Sequence, residues 1–147
     1  MSSSPPSLSS IPMAAKAFQR GVLIVDHDAS AAYVLADGMR SQGWRVKVVG
    51  SAEEALEVIG SFRPAAVVLD LVLPFMSGII LACQIKADPA TRGVSVVAVA
   101  DLLDGDTEKL VHDAGCMTCL KKPVDPDSVG HLLHASAFEL DRPDERR

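Results

Sequence analysis

The sequence predicts one α/β domain, a doubly wound five-stranded parallel sheet with helices on both faces. Short apolar runs rich in β-branched residues alternate along the chain with segments whose apolar residues recur at helical spacing. Five such strand–helix pairs fit into about 120 residues, and strands that alternate with helices pair in parallel through right-handed crossovers. A hydrophobic fraction of 48% supplies the apolar side chains that such a layered core needs.

The predicted strands differ in how deeply they are buried. Residues 21–26 and 64–70 are continuous apolar runs typical of strands covered on both faces, whereas residues 45–49 alternate as an edge strand does. The remaining strands are predicted at residues 94–100 and 116–121. Helices are predicted at residues 30–42, 51–62, 77–87 and 107–114, and a last one from Pro126. Ser51 and Glu54 have the spacing of a capping box, which indicates a helix start.

Both ends of the chain differ in composition from its middle. Nine of the first twelve residues are Ser or Pro, so residues 1–19 are expected to form a disordered tail. Residues 141–147 are predicted to form a short charged tail, which leaves residues 20–140 as a single folded domain. Translation could start at Met1 or at Met13.

Charge and hydropathy exclude several classes of protein. The 14 basic residues against 19 acidic ones give a net charge of -5, whereas a dedicated nucleic-acid binder needs a basic face. No apolar run approaches the roughly 20 residues of a membrane helix, so no membrane partner is expected. The 3 cysteines are an odd number that does not suit a disulfide scaffold, and we therefore expect a cytoplasmic protein.

Charged side chains follow four of the predicted strands. In chain order they are Asp26, Asp70, Asp101 and Lys122. Because ligands bind at the carboxyl ends of parallel strands, we expect these side chains to meet at one edge of the sheet. Carboxylate oxygens suit Mg²⁺, and a lysine beside them suits a phosphoryl group. On this spacing alone, the alternative is a solvated loop edge with scattered charges.

The spacing of these residues resembles the receiver domain of two-component response regulators. Asp70 ends the third strand, with Pro74 four residues and Gly78 eight residues further on, and Lys122-Pro123 follows the fifth strand. The resemblance covers residues 20–140. It implies a flavodoxin-like (β/α)5 fold with strand order 2-1-3-4-5.

The resemblance also implies a role for each site residue. Asp70 would accept a phosphoryl group from a phosphohistidine of a histidine kinase or a histidine phosphotransfer protein, and Lys122 would contact that group. Mg²⁺ would be held by Asp26, Asp70 and the backbone carbonyl of Val72. The protein would then be a single-domain signalling protein that acts on a downstream protein target. It would not be an enzyme beyond dephosphorylating itself.

Three positions depart from the receiver pattern. His27 stands where the pattern has a second acid, and imidazole prefers transition metals, so either Mg²⁺ binds more weakly or Asp28 replaces the missing ligand. Ala100 stands where the pattern has Thr or Ser, and Cys119 where it has an aromatic residue. Since these last two positions carry the phosphorylation signal in the family, we expect a weak or rerouted conformational response.

Two other functions stay open at this point. The same fold could serve as a protein-interaction module that does not depend on phosphorylation, which the three departures favour. Residues 22–30 also resemble the first motif of haloacid-dehalogenase-type phosphatases, with Asp26 as nucleophile and Asp28 as acid/base. That alternative leaves Asp70, Pro74 and Gly78 unexplained.

The sequence also contains a closely spaced pair of cysteines and an unusually apolar third helix. Cys116 and Cys119 form a C-x-x-C, but on a strand they would face opposite sides, too far apart for a disulfide. On the third helix, Ile80 and Cys83 either form an exposed apolar patch, which would suit a homodimer, or lie under a loop. Phe138 on the last helix is either a contact residue or a single exposed aromatic.

Overall fold

The computed structural model describes residues 20–140, and of residues 136–140 only the course of the helix. The predicted tails and the side chain of Phe138 lie outside the described residues. The strands are β1 (Gly21–Val25), β2 (Arg45–Val49), β3 (Ala66–Asp70), β4 (Ser95–Ala100) and β5 (Thr118–Lys121). The helices are α1 (Ala29–Ser41), α2 (Ala52–Phe62), α3 (Gly78–Ala87), α4 (Gly105–Asp113) and α5 (Pro126–Leu140).

The five strands form one parallel sheet in the order β2-β1-β3-β4-β5, as expected. The predicted doubly wound, flavodoxin-like fold is therefore confirmed. All five residues of β1 and of β3 are buried, whereas β2 alternates at the edge of the sheet. Because β3 is the central strand, its last residue, Asp70, lies at the middle of the edge formed by the carboxyl ends of the strands. Among the described residues, no helix is both long and apolar enough to cross a membrane.

Two apolar clusters hold the helices against the sheet, one on each face. α1 and α5 cover one face through side chains such as Met39 and Leu133. α2, α3 and α4 cover the other face through side chains such as Ile59, Leu81 and Val111. Burying a large apolar side chain contributes about 1.5–3 kcal/mol, so these clusters fix the sheet edge on which the charged residues lie.

Side-chain caps begin four of the helices. The Ser51 hydroxyl accepts a hydrogen bond from the backbone N–H of Glu54 at 3.2 Å, which confirms the predicted helix start. Asp28, Ser77 and Asp104 cap α1, α3 and α4 in the same way. Each cap satisfies a backbone donor that the helix itself leaves without a partner.

β5 is shorter than predicted, and this changes how its cysteines lie. Gly115 has a φ of 94°, and the N–H of Cys116 then donates to the carbonyl of Val111 at 3.0 Å, which turns the chain before the strand begins. Cys116 and Cys119 both pack against the cluster under α2, α3 and α4. The prediction that they lie on opposite faces of a strand is wrong, because only Cys119 belongs to β5.

The two thiols do not form a disulfide. Cys116 and Cys119 are free, and burial raises the pKa of the Cys116 thiol to about 11. The thiol is therefore protonated at neutral pH and packs as a small apolar side chain.

Gly78 allows α3 to begin directly against the backbone that follows Asp70. A Cβ at this position would lie 2.7 Å from the Cα of Leu71, and the N–H of Gly78 donates to the carbonyl of Leu71 at 2.9 Å. A side chain here would push the start of α3 away from the end of β3.

We expect Gly78→Ala to lower the free energy of unfolding by about 1–3 kcal/mol, since the new methyl group overlaps backbone atoms that cannot rotate away. Urea unfolding followed by circular dichroism measures the change. Gly60→Ala is the matched control, because a Cβ there meets nothing within 4 Å. It is expected to stabilise α2 by about 0.5–1 kcal/mol. An unchanged stability in Gly78→Ala would contradict the close packing.

Candidate functional site

Asp70 is a buried carboxylate at the carboxyl end of the central strand. Its side chain is 2% exposed, and it is the one charged residue that is buried among the described residues. The N–H of Val72 donates to Oδ1 at 2.9 Å, and Lys122 Nζ donates to Oδ2 at 2.6 Å. These two hydrogen bonds and the ion pair offset the cost of removing the carboxylate from water.

Lys122 reaches this carboxylate from the end of β5. Its N–H donates to the carbonyl of Ala100 at 2.9 Å, and its peptide bond to Pro123 is cis. Nζ also lies 3.9 Å from Asp26 Oδ2. Burial lowers the pKa of Lys122, but the hydrogen bond to Asp70 and the charges of the nearby carboxylates outweigh it and hold the pKa above its usual value. The ammonium group is therefore charged at neutral pH.

Asp26 follows β1 and forms the second acidic wall of the site. Its N–H donates to the carbonyl of Val49 at 3.1 Å, and its Oδ1 accepts the N–H of Asp28 at 2.9 Å. Burial raises the pKa of Asp26, while the hydrogen bond from Asp28 and the charge of Lys122 act against the rise. The net pKa stays above the usual aspartate value, so the ionised form is held at a cost in stability.

His27 turns its ring toward both carboxylates although the side chain is 53% exposed. Nδ1 lies 3.9 Å from Asp26 Oδ1 and 4.0 Å from Asp70 Oδ2. One ligand atom from each of these three residues lies within 4.8 Å of the others. Two carboxylates and an imidazole at these separations fit a single divalent cation.

Asp28, offered by the sequence as one of two alternatives for the missing acidic ligand, has its side chain engaged elsewhere. Its side chain is the N-cap of α1, accepting the N–H of Ala31 at 3.3 Å, and it is not among the three clustered ligands. Val72 lies two residues after Asp70, and its N–H donates to Asp70 Oδ1. The role of its carbonyl as a ligand stays a prediction.

The two atypical positions flank the site on neighbouring strands. Ala100 ends β4 with 7% exposure, and only a methyl group projects from it. Cys119 is half-buried on β5, where burial and then the charge of Glu108 raise the pKa of its thiol. Neither side chain can give a phosphoryl oxygen the hydroxyl that Thr or Ser would offer from β4.

A cavity of about 430 Å³ beside Asp70 was missed by the sequence analysis. It lies between α1, the sheet and the segment after β5, with charged groups on one side and mainly apolar walls elsewhere. Its lining residues are Ile24, Val25, Asp26, Ala31, Val34, Leu35, Val68, Asp70, Val99, Asp101, Lys122, Pro123 and Val124. The sequence signal that could have indicated this cavity is Val34, an apolar residue of α1 that lies outside the buried stripe of the helix. In the structure, Val34 is 67% exposed.

Exposed apolar side chains stand around the same edge of the sheet. Phe75 is 98% exposed with a positive φ of 68°, and Val72 and Leu102 are also exposed. Ile80 and Cys83 on α3 are exposed as well, so no loop of residues 20–140 covers them. Of the two alternatives for this helix, the exposed patch is the one that the structure shows.

Comparison with known proteins agrees with this geometry. The sequence model of the response regulator receiver domain matches residues 22–134. The DNA-binding response regulator MtrA of Mycolicibacterium smegmatis is 36% identical over 108 residues, which are 74% of this chain and 46% of that protein. A protein-glutamate methylesterase/protein-glutamine glutaminase of Geobacter metallireducens is 31% identical over 124 residues, 80% of this chain and 34% of that protein. The chain thus spans about half the length of the MtrA relatives it matches.

Solved structures show the same fold at low identity. A two-component response regulator from Clostridium difficile superposes with a TM-score of 0.78 at 20% identity, covering 84% of this chain and 99% of that one. The likeness to known sequences extends over most of the described domain, including the ends of β1, β3 and β5 where Asp26, Asp70 and Lys122 converge. On these grounds the chain belongs to the response regulator receiver domain family.

Proposed function

We propose that the protein accepts a phosphoryl group on Asp70 from a phosphohistidine of a histidine kinase or a histidine phosphotransfer protein. The observation that carries the proposal is the buried Asp70 carboxylate, held 2.6 Å from Lys122 Nζ and open to a cavity. A carboxylate that is buried, charged and oriented by two donors is suited to attack an electrophile entering from that side.

The transfer conserves atoms and charge in a simple way. An Asp70 carboxylate oxygen forms a bond to phosphorus, the phosphorus–nitrogen bond of the phosphohistidine breaks, and the departing imidazole takes up a proton. The Val72 N–H holds Oδ1 in place. Lys122 lies close enough to Asp70 to contact the phosphoryl oxygens once they carry the negative charge. A divalent cation held by Asp26, Asp70 and the Val72 carbonyl would, when bound, neutralise part of that charge.

We further propose that phosphorylation moves the rest of the domain only weakly. A hydrogen bond to a charged group contributes about 1.5–3 kcal/mol, and a whole allosteric coupling is typically about 1–3 kcal/mol. Ala100 offers no such bond to the phosphoryl group, and Cys119 offers no ring that could exchange between two positions. The free energy available to bias α4 and β5 is correspondingly small.

The proposed partners are proteins. They are the phosphoryl donor, a downstream protein target and a second copy of this chain that meets the exposed apolar side chains near Ile80. The net charge of -5 does not favour nucleic acid, although the MtrA relatives are named as DNA-binding. We propose a non-enzymatic signalling role in the cytoplasm, where free thiols such as those of Cys83, Cys116 and Cys119 persist.

A phosphorylation-independent interaction module is the second candidate. The observation in its favour is the set of exposed apolar side chains around a site that lacks the usual switch residues. The phosphatase alternative has less support, because the carboxylate of Asp28, its required acid/base, caps α1.

Treatment with acetyl phosphate and Mg²⁺ or Mn²⁺ should add about 80 Da, the mass of one phosphoryl group, to the intact protein. Asp70→Asn should abolish the gain because the amide is not a nucleophile. Intact-mass spectrometry is the measurement, and Asp37→Asn, an exposed aspartate on α1, is the matched control that should still gain mass. A wild-type protein that stays unmodified with either cation would favour the interaction module.

Asp26→Asn should stabilise the metal-free protein at pH 7. The pKa of Asp26 is raised in the fold, so its charged form is disfavoured there and native stability falls as the pH rises through the interval between its unfolded and folded pKa values. An amide removes this cost. The urea midpoint of the variant should exceed that of the wild type at pH 7, and the difference should vanish below the unfolded pKa of aspartate. A midpoint lowered at pH 7 would show that Asp26 stabilises the fold.

Ala100→Thr should enlarge the conformational response to phosphorylation, because it restores a hydroxyl at the end of β4. Amide chemical-shift changes in residues 101–121 after acetyl phosphate treatment measure the response. Ala100→Val is the control, because valine has the shape of threonine but no hydroxyl. This variant should respond as weakly as the wild type. Large shifts across α4 and β5 in the wild type would contradict the weak coupling.

A further inference from the structure

We propose that His27 makes the cation site of this protein selective for first-row transition metals, such as Mn²⁺ and Co²⁺, over Mg²⁺. The inference rests on the proposed function in that it identifies the cation that acts beside Asp70. It makes His27 the specificity-determining residue of the site.

The position of the imidazole is the first support. A side chain that is 53% exposed is free to turn into water, yet Nδ1 lies 3.9 Å from Asp26 Oδ1 and 4.0 Å from Asp70 Oδ2. Separations of this size allow all three atoms to contact one small cation, since each would need to lie about 2.1 Å from it. His27 is therefore placed as a direct nitrogen ligand.

The charge of the site is the second support. Asp26 and Asp70 contribute two negative charges, Lys122 contributes a positive one, and a neutral imidazole contributes none. A carboxylate at position 27 would make the net charge of the site one unit more negative. Mg²⁺ is a hard cation held by anionic oxygens, so its affinity falls the most when an imidazole stands at position 27 in place of a carboxylate. A transition metal regains the lost attraction through its bond to nitrogen, in the order Mn²⁺ < Co²⁺.

Neighbouring groups do not compensate for the missing carboxylate. The Asp28 side chain accepts the N–H of Ala31, and the Asp28 N–H donates to Asp26 Oδ1, so moving Asp28 into the site would cost both the helix cap and a hydrogen bond. Lys122 Nζ lies 2.6 Å from Asp70 Oδ2 and competes with any cation for that oxygen. Among the cations compared, the weakly bound Mg²⁺ is the one that the Lys122 ammonium displaces most readily from this oxygen.

Direct binding measurements on the full chain without a polyhistidine tag and without any phosphoryl donor test the proposal. Calorimetric titrations with Mg²⁺, Mn²⁺ and Co²⁺ should rank the affinities Co²⁺ > Mn²⁺ > Mg²⁺. Loss of a residue that only supports a ligand changes metal affinity by roughly 10–100-fold, so His27→Asp should lower the preference for Co²⁺ over Mg²⁺ by at least about tenfold. The same variant should bind Mg²⁺ more tightly than the wild type.

Electron spin-echo spectroscopy of bound Mn²⁺ supplies a second readout. The wild type should show modulation from a directly bound ¹⁴N, and His27→Asp should not. His112→Asn is the matched control, because His112 is 88% exposed on α4 and should leave both affinity and modulation unchanged.

The proposal is overturned if the wild type binds no cation, if its preference equals that of His27→Asp, or if the nitrogen signal is missing from the wild type or survives in that variant. Its failure is separable from failure of phosphoryl acceptance. The mass gain at Asp70 can occur with Mg²⁺ alone, and metal preference can be measured whether or not Asp70 is ever phosphorylated.

Discussion

The ion pair between Asp70 and Lys122 is the interaction on which the rest of the site depends. It joins the end of the central strand to the residue that follows the edge strand, across the end of β4. A buried pair of this kind contributes little net stability compared with two apolar side chains, because both charges must leave water. Its value lies in orientation, since it holds the Asp70 carboxylate in a fixed position beside the cavity.

The packing around the pair explains why this position can hold a charge at all. β3 is buried along its whole length, and its last residue, Asp70, borders the cavity at the end of the strand. Gly78 lets α3 begin against the backbone next to it, and the N–H of Val72 returns to its carboxylate. The surrounding backbone therefore supplies the polar partner that the apolar layers cannot. The neighbouring Asp26 retains a raised pKa, chiefly because it is partly buried and to a smaller extent because it lies beside the charge of Asp70.

The departures from the receiver pattern fall into two physical groups. His27 changes the chemistry of the exposed side of the site, where a cation would bind, and leaves the ion pair between Asp70 and Lys122 in place. Ala100 and Cys119 change the strands that connect the site to α4 and β5, and they touch neither the acceptor nor its lysine directly through a polar side-chain group. Under the proposed function, accepting a phosphoryl group and transmitting its arrival would be separable, since they would depend on different residues.

Local patterning in the sequence was sufficient to predict the strand–helix alternation, the helix start at Ser51 and the parallel sheet. The rule that ligands gather at strand ends then identified Asp26, Asp70 and Lys122 as neighbours. Tertiary structure alone decided that Asp28 caps a helix, that Cys116 and Cys119 share one core cluster, that Ile80 is uncovered, and that a cavity opens beside Asp70. The physical reason is range: periodicity reports which face of an element is apolar, whereas these features depend on where each connection ends and which distant side chain fills the remaining space.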